Sequence, residues 1–376
     1  MSMISLTAAR TGLVADDVIG GVRAVVETEL APIVKAIDID GVYPDAALRA
    51  LGKAGLFRQH LAAHAPDGAQ DVGRAIAAMT AVGTACLSTS FCTWCQDAAG
   101  WYLENTDNTA LRDELQAGIA SGAVLGGTGL SNPMKAFSGI EGFKLRAQRA
   151  EGGWVVSGIL PWVSNLGDGH WFGTVFEDAA DASHRIMAMI RCGQPGVEIR
   201  QAARFHALEG TGTFAVLFRR AFIADAQILA DPAVDLVKRI KAGFILLQTG
   251  MGLGVIRGCI DLMYEADRTH AETNAYLPKR PAWFEAELAA LDERIMQLAV
   301  TPHESDTDYM RQVLTARLNV SELSLEASQA AMLHAGARGY IHGSAFNRRL
   351  RESYFVAIVT PSIKHLQQEL ARLAVH

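Results

Sequence analysis

The sequence has little of what marks several classes of protein. It has no basic excess, since 34 Lys and Arg stand against 40 Asp and Glu and the net charge is −6. A mild negative charge argues against a protein that binds nucleic acid or an anionic membrane surface. The first residues lack an apolar core with a basic flank, and we find no uncharged apolar run long enough to cross a bilayer. We therefore expect a soluble cytoplasmic protein, with no nucleic-acid partner and no membrane insertion.

Cysteine is scarce as well. Five Cys in 376 residues are an odd number in a long chain, which argues against a disulfide framework. Cys92 and Cys95 form a CxxC, but no second Cys or His pair follows to complete a zinc site. The residues before Cys92 already have helical spacing, unlike a redox dithiol after a strand. We expect both thiols to pack inside a helix, and we expect no metal site.

A complete dinucleotide-binding fingerprint is also missing. Gly250 and Gly252 fit its first and third positions, but Val255 occupies the sixth. Gly250, Gly254 and Gly258 are instead four residues apart, which places them on one face of a helix. Glycines on one face let another backbone come close, so the stretch predicts tight helix packing rather than a phosphate loop.

The elements that are present follow a helical, β, helical order. Helical spacing dominates to about residue 121, short β-rich runs follow, and helical spacing returns after Pro232. Asp16 and Asp17 suit the start of the first helix, and Gly122 suits the end of the last helix of the first block. Segregated blocks predict an α+β fold rather than alternating βαβ units. We divide the chain into an N-terminal helical domain (1–122), a central β domain (123–230) and a C-terminal helical domain (231–376).

Two stretches of the β block suggest a ligand site. GGTGLSNP, residues 126–133, ends a strand in small residues and a hydroxyl and is expected to turn at Asn132-Pro133. In WVVSGILPWVSN, Trp162 and Ser164 are two apart, so their side chains should leave the same face of a strand. An aromatic plane beside a hydroxyl suits a flat heteroaromatic ligand.

A third stretch, AIVTPSI at residues 357–363, lies between two helical patterns. Pro361 lacks an N–H and disfavours helical geometry at Thr360, so the chain should break there. A loop held between rigid helices is a common place for an active-site group.

Several of these stretches resemble the acyl-CoA dehydrogenase family. ELQAGIASGAVLGGTGLSNP is similar to the segment that leads into the family's Thr-Glu-Pro-Gly signature, and KLRAQRAEGGWVVSGILPWVSN to the segment that ends in Gly-x-Lys-x-Trp-Ile-Thr-Asn. GCIDLMYEADR resembles the helix that ends in Tyr-x-x-x-Arg. HAGARGY and RRLRESY resemble the Gly-Gly-x-Gly-Tyr segment and its later Arg-Asp.

The resemblance implies an acyl-CoA dehydrogenase-like fold that holds FAD between the β domain and the C-terminal helical domain. It implies a homo-oligomer, a dimer or a tetramer, in which a second subunit completes the cofactor site. It also implies an acyl-CoA or similar small-molecule substrate and an electron acceptor such as an electron-transfer flavoprotein. For the site, it assigns to FAD binding the residues Leu130, Ser131, Trp162, Ser164, Arg268, Gly336, Gly339 and Ser362.

The family pattern breaks at the catalytic base. Thr360 takes the place of the glutamate that removes the substrate's α-proton, and a threonine hydroxyl does not ionise usefully near neutral pH. The alternative base position of some members lies near Phe244 and holds no acid. Asp97, Glu209 and His206 are the remaining polar candidates, although each is more simply a capping, solvated or structural residue.

Three functions remain open on the sequence. The first is FAD-dependent α,β-dehydrogenation of an acyl-CoA-type thioester with a non-standard base. The second is a flavin-dependent monooxygenase or oxidase on the same fold, which can dispense with the glutamate. The third is a catalytically silent partner subunit. The Trp-Val-Ser-Asn stretch favours the first, and the missing carboxylate favours the other two.

Overall fold

The computed structural model describes residues 18–201 and 203–374. Asp16 and Asp17, the expected start of the first helix, lie outside the described residues. The helices are α1 (18–25), α2 (Val34–Ile39), α3 (Asp45–Lys53), α4 (Val72–Ala85), α5 (Leu87–Asn105), α6 (Thr109–Ser121), α7 (Ser131–Phe137), α8 (Val234–Leu247), α9 (Thr249–Asn274), α10 (Pro281–Ala299), α11 (Thr307–Ala335), α12 (Ala345–Ile358) and α13 (Ile363–Leu373). The strands are β1 (Gly126–Thr128), β2 (Leu145–Ala150), β3 (Gly153–Val163), β4 (Trp171–Asp178), β5 (Arg185–Arg191), β6 (Val197–Arg200), β7 (Phe214–Ala224) and β8 (Ile228–Ala230).

The helical, β, helical order that the sequence predicted is confirmed. Among the first helices, α4 starts at Asp71, whose carboxylate accepts a hydrogen bond from the backbone N–H of Arg74. Helix α6 ends at Gly122, which adopts a left-handed φ of 71° that favours glycine. Helix α5 is buried along almost its whole length, and the Cys92 and Cys95 thiols are free and buried inside it. The predicted packing of these two cysteines in a helix is therefore correct.

The eight strands form one mixed sheet. Its order is β6-β7-β3-β2-β4-β5-β8, and β1 pairs with β4 in parallel. Strands β3 and β7 are the longest and pair in antiparallel fashion, with a register shift between Leu160 and Val163. Just beyond the end of β3, Ser164 forms a β-bridge to Thr128 of β1. The two stretches singled out in the sequence thus meet at one edge of the sheet.

Close backbone contact between α4 and α9 explains the glycine spacing. A Cβ added at Gly254 would lie 2.5 Å from the Cα of Gly83. One added at Gly250 would lie 2.9 Å from the carbonyl oxygen of Ile76. Since contacts this short do not occur for real Cβ atoms, only glycine lets the two helices approach. The prediction of tight helix packing, rather than a phosphate loop, is confirmed.

The stretch Val234–Asn274 is long and apolar enough to cross a membrane by length and composition, a feature that the sequence interpretation did not single out. However, 94% of its most apolar window is buried inside the fold. Core helices of ordinary globular proteins have the same composition, and the contacts of α8 and α9 account for it here.

One expectation about the β block is wrong. Residues Ser131–Phe137 form the helix α7, where the sequence had predicted a turn at Asn132-Pro133. Pro133 is tolerated because it lies in the first turn, where its missing N–H leaves no hydrogen bond unmade. The Asn132 amide holds the start of β2, since its oxygen accepts from the N–H of Lys144 at 3.0 Å.

Buried ion pairs join α12 to the first helical block. Glu352 is paired with Arg348 at 3.0 Å and with Arg349 at 2.7 Å, both on the same helix. These arginines also donate to carbonyls at the end of α4, and Glu352 accepts from the first N–H of α5. Arg351 instead pairs across the molecule with Asp38 of α2.

Candidate functional site

The turn between α12 and α13 is held from inside the helical bundle. Its break at Thr360-Pro361 is where the sequence predicted it, since α12 ends at Ile358 and α13 begins at Ile363. The carbonyl of Thr360 accepts from the amide of Gln248 at 2.8 Å. Gln248 in turn accepts from Nε of Arg317 at 3.0 Å. The position of the turn is thus fixed by two side chains on α11 and at the end of α8.

Arg317 places a positive charge behind this turn. The side chain is fully buried, and its other nitrogens donate to the carbonyl of Val356 at 2.8 Å and to the hydroxyl of Ser321. None of its hydrogen-bond partners in the described residues is a carboxylate. Burial lowers the pKa of Arg317 to about 10, so the group stays charged at neutral pH.

Two hydroxyls connect the turn to the sheet. The Oγ of Ser131, at the start of α7, lies 3.0 Å from the Oγ1 of Thr360. Ser362, another residue assigned from the resemblance, precedes α13 in the same turn. The structure therefore brings Ser131, Thr360 and Ser362 together. The hydroxyl pair can donate and accept hydrogen bonds, but it cannot remove a proton from carbon near neutral pH.

The indole of Trp162 offers an open aromatic face on the sheet side. Its side chain is 55% exposed, and the ring of Phe205 meets it edge-on with centroids 6.4 Å apart. A large apolar face left open beside a hydroxyl is what a flat ring would cover. The side chains present therefore fit the flavin ring that the sequence predicted.

A chain of hydroxyls behind Ser164 determines what its oxygen can do. Thr211 donates to the carbonyl of Leu208 at 2.7 Å, which uses its single proton. Thr213, 2.8 Å away, must then donate to Thr211, and Ser164 must donate to Thr213 at 2.7 Å. The oxygen of Ser164 is left with lone pairs only. Toward any ligand over this edge of the sheet it acts as a hydrogen-bond acceptor.

An apolar pocket opens beside the Ser131–Thr360 contact. It has a volume of about 320 Å³ and lies between α7, α8 and α13, with Leu130 and Pro361 at the edge next to the two hydroxyls. Its volume equals that of roughly ten water molecules, which suits a small apolar group. The main apolar side chains that line it are Leu130, Met134, Val237, Ile240, Phe244 and Leu314.

Aromatic side chains close the interior end of the pocket. Phe244 packs against Trp94 with ring centroids 5.0 Å apart, and Trp94 stacks on Phe91 at 5.7 Å. Phe91 meets Phe355 at 4.6 Å. These rings belong to the hydrophobic core or pack against it.

The three polar candidates from the sequence lie away from this pocket. Asp97 is buried on α5 beside His60, 3.8 Å from its Nδ1. Burial raises the pKa of Asp97 well above its usual value and lowers that of His60 to about 4, so both groups favour the neutral form. Glu209 accepts from a backbone N–H in the loop before β7. The carbonyl of His206 accepts from Arg351. None of the three lines the pocket.

Other titratable groups line the pocket instead. Glu369 on α13 is ion-paired with Lys241 at 3.3 Å and with Arg372 at 3.1 Å. The Nε2 of His365 lies 2.9 Å from the Oγ of Ser138. Sequence reasoning missed these residues. The sequence did carry a signal for them. The helix directly after the Thr360 turn is amphipathic, and His365 and Glu369, four residues apart, share one face of it.

The last residues assigned from the resemblance form a separate group. Arg268 is exposed on α9, Gly336 ends α11 with a φ of 59°, and Gly339 is buried just after it. Asn274 donates to the carbonyl of His334 at 3.2 Å, so the ends of α9 and α11 are neighbours. In the described residues, no hydrogen bond or ion pair links this group to Ser131, Trp162, Ser164 or Thr360.

Comparisons with known proteins agree with this architecture. Residues 16–123 match the family model "Acyl-CoA dehydrogenase, N-terminal domain". Over 365 residues the chain is 23% identical to the probable acyl-CoA dehydrogenase YngJ of Bacillus subtilis, covering 90% of this chain and 91% of that one. Over 242 residues it is 23% identical to benzylmalonyl-CoA dehydrogenase of Aromatoleum aromaticum, a match that spans 62% of this chain and 63% of that protein.

Solved structures show the same fold. Butyryl-CoA dehydrogenase from Megasphaera elsdenii superposes with a TM-score of 0.86 at 14% identity, over 96% of this chain and 98% of that one. Dibenzothiophene monooxygenase from Paenibacillus sp. A11-2 gives a TM-score of 0.79 at 15% identity, over 95% of this chain and 96% of that one. The expected fold is thus confirmed. Residues 16–123 match the acyl-CoA dehydrogenase N-terminal domain, the whole chain is similar to acyl-CoA dehydrogenases, and FAD is the cofactor that these comparisons support.

Proposed function

We propose that this chain is an FAD-dependent oxidoreductase that dehydrogenates the α,β-carbons of a short acyl-CoA-type thioester, with a base other than the family glutamate. One observation supports this most. The pocket is lined by Leu130 and Pro361, the chain neighbours of Ser131 and Thr360, whose hydroxyls lie 3.0 Å apart. In the proposal, the flavin ring over Trp162 extends to this hydroxyl pair, the junction of pocket and sheet, so that a group in the pocket lies at its edge.

The side chains around that junction have separate roles in the proposal. Trp162 stacks on the flavin ring, Ser164 accepts a hydrogen bond from its edge, and Leu130 and Ser131 border its pyrimidine side. When bound, FAD accepts the hydride that leaves the β-carbon. Thr360 orients the substrate carbonyl or the flavin by hydrogen bonding, because its hydroxyl cannot act as the base. Phe244 and the aromatic rings behind it limit the acyl group to a short chain.

A second candidate is a flavin-dependent monooxygenase or oxidase. The observation that favours it is the hydroxyl pair at the junction, since neither Ser131 nor Thr360 can replace the glutamate. The fold also occurs in a protein named as a dibenzothiophene monooxygenase. In this candidate the apolar pocket takes a small apolar substrate directly, without a thioester.

The proposal extends to assembly and electron transfer. Arg268, Gly336 and Gly339 lie away from the junction, as expected if they contact the FAD of a second copy of the chain. We infer a cytoplasmic homo-oligomer, a dimer or a tetramer, that passes its electrons to an acceptor such as an electron-transfer flavoprotein. That some relatives are named as acyl-CoA dehydrogenases supports this inference.

The test is a set of anaerobic flavin spectra. The purified protein is loaded with FAD and mixed with butyryl-CoA, with octanoyl-CoA as the long-chain comparison. Bleaching of the visible flavin band by butyryl-CoA, and less by octanoyl-CoA, supports the proposal. Reduction only by a flavin reductase and NADH, followed by an oxygen-adduct spectrum, favours the monooxygenase. A chain that never retains flavin is a silent partner subunit, and the proposal is then wrong.

A further inference from the structure

The pocket contains an imidazole with one free nitrogen. His365 lies in the first turn of α13, its side chain is 5% exposed, and it lines the cavity together with Leu130 and Pro361. Its Nε2 is 2.9 Å from the Oγ of Ser138. Its Nδ1 has no hydrogen-bond partner in the described part of the chain. A buried polar atom without a partner costs about 1–3 kcal/mol, so its retention at a pocket calls for a ligand.

The contact with Ser138 bears on which nitrogen carries the proton. A hydroxyl oxygen can accept a hydrogen bond, and Nε2 of His365 lies 2.9 Å from the Oγ of Ser138. With its proton on Nε2, the ring donates to Ser138 and keeps a lone pair at Nδ1, where no protein donor or acceptor is in reach in the described residues. We take this tautomer, in which the ring can act as a base.

The charges that face the ring keep it neutral. Burial lowers the pKa of His365 below 6.5, and the carboxylate of Glu369 only partly opposes this. The cations of Lys241, Arg372 and Lys135 lower the pKa further. At pH 7 the imidazole is the free base. Once it takes a proton, the Glu369 carboxylate, four positions along the same helix, stabilises the new positive charge.

Glu369 is held as an anion by its cationic neighbours. Burial raises the pKa of its carboxyl, but Lys241 and the other neighbouring groups together outweigh burial, and the net pKa is lowered. The ion pairs with Lys241 and Arg372 hold the carboxylate in place. Lys238 lines the same pocket and adds a further cation at its α8 wall. An anchored carboxylate thus lies one helical turn from the imidazole although no carboxylate occupies the family's position.

We propose that His365 is the base that replaces the missing glutamate, and that it acts on the α-carbon of a short acyl thioester bound in the pocket. This inference rests on the proposed function. The Cα–H bond breaks, its proton forms a bond with Nδ1, and the electron pair stays on the substrate. The β-hydrogen leaves with its pair to FAD, so the thioester loses two electrons and FAD gains two.

The decisive experiment separates proton removal from electron transfer. The FAD-loaded protein is held reduced with dithionite and incubated with butyryl-CoA in D₂O, and deuterium at Cα is measured by mass spectrometry. Hydride transfer is blocked, but a base still exchanges the α-proton. We expect exchange in the unaltered chain and a loss of about 10²- to 10⁴-fold in His365→Gln. His303→Gln, at an exposed histidine outside the pocket, should leave exchange unchanged.

Ser138→Ala tests the orientation of the ring. Without the hydroxyl, the proton of His365 is free to move to Nδ1, so exchange should fall by about 10-fold rather than be lost. The rate of exchange should also rise with pH through an acid limb below pH 6.5, because only the neutral ring is a base. That limb should be absent in His365→Gln.

Nitrogen-15 NMR of labelled histidine gives a readout that does not depend on turnover. The signals of His365 are those missing in His365→Gln. We expect a neutral ring protonated on Nε2 with a pKa below 6.5. Its Nδ1 signal should shift when butyryl-CoA is added.

The outcomes distinguish the two proposals. If butyryl-CoA bleaches the flavin and exchanges its α-proton equally well in a folded, FAD-containing His365→Gln, the base is elsewhere, although the dehydrogenase stands. If the unaltered chain binds FAD but neither bleaches nor exchanges, both proposals are wrong. Should His365→Gln fail to fold, equal exchange in Ser138→Ala and the unaltered chain, or an Nδ1-protonated ring by NMR, still overturns the inference.

Discussion

The two sides of the candidate site differ in how their polar groups are satisfied. On the strand side, each hydroxyl of the chain Ser164, Thr213 and Thr211 has a hydrogen-bond partner, and the chain ends on a backbone carbonyl. On the helical side, Nδ1 of His365 and both oxygens of Asp97 have none in the described residues. A satisfied network holds one geometry, whereas an unpaired buried group reduces stability or awaits a ligand.

The comparison also separates two kinds of unpaired group. His365 lines a pocket, and we propose that a ligand there pairs with its free nitrogen. Asp97 lies in the core against His60 and does not line that pocket. We therefore expect changes at the turn and at His365 to alter chemistry, and changes at Asp97 to alter stability only. The strand side should control the affinity and the potential of the flavin.

The largest expected effect comes from restoring a carboxylate on the helical side. Thr360→Glu should raise the rate of flavin bleaching by butyryl-CoA, by up to about 10²-fold, because a carboxylate at this turn is a competent base. In a His365→Gln background it should restore α-proton exchange. Thr360→Gln, of the same size and without a base, is the control. No gain over this control would mean that the turn does not face the α-carbon.

On the strand side, Trp162→Ala should weaken FAD binding. Removing the stacking face costs about 1.5–3 kcal/mol, or roughly 10- to 150-fold in Kd. Titration of the flavin-free protein with FAD, followed by flavin fluorescence, measures the change. Phe222→Ala, at another exposed aromatic of the same sheet, should bind FAD as the unaltered chain does. Equal affinity in both variants would move the flavin away from Trp162.

In the helical core, Asp97→Asn should stabilise the chain at neutral pH, by about 1–2 kcal/mol. Because the pKa of Asp97 is raised on folding, the folded chain binds more protons than the unfolded chain above about pH 4. Its stability therefore falls as the pH rises toward the folded pKa, and the asparagine removes this loss. Urea unfolding at pH 5 and pH 8 should show a larger gain at pH 8. A gain independent of pH would mean that Asp97 is not the titrating group.

The smallest effect tests the hydroxyl chain. Thr213→Val frees the proton of Ser164 to donate to an unprotonated flavin nitrogen, which favours oxidised FAD. One hydrogen bond contributes about 0.5–1.5 kcal/mol, so the two-electron potential should fall by roughly 10–30 mV. A xanthine oxidase titration with a reference dye measures it. Thr315→Val, at an exposed threonine of α11, should not change the potential. A rise instead of a fall would reverse the assigned proton direction.

Much of the fold follows from local patterns. The glycines of α9 predicted close packing because a fourfold spacing repeats on one helix face, and the Pro361 break follows from the missing N–H. The helix α7 was not predicted, since Asn132-Pro133 is also typical of a turn. The helix is favoured by a contact with the chain that follows it, in which the Asn132 side chain accepts a hydrogen bond from the N–H of Lys144. Similarly, Arg351 pairs with Asp38, which lies more than three hundred positions away and which no local pattern identifies.

The sequence by itself determined the order of the elements, an aromatic and a hydroxyl two residues apart at the end of β3, and the absence of a carboxylate at Thr360. These features depend on residue type and on spacings of two to four residues. Backbone geometry alone then decides which residues share a face of a helix or strand and where a helix ends. Only the tertiary structure decided that Ser131 meets Thr360, that Gln248 and Arg317 hold the turn, and that His365 reaches a pocket with a free nitrogen. Those contacts join separate helices, and their proton directions depend on partners that only the packed chain brings within hydrogen-bond distance.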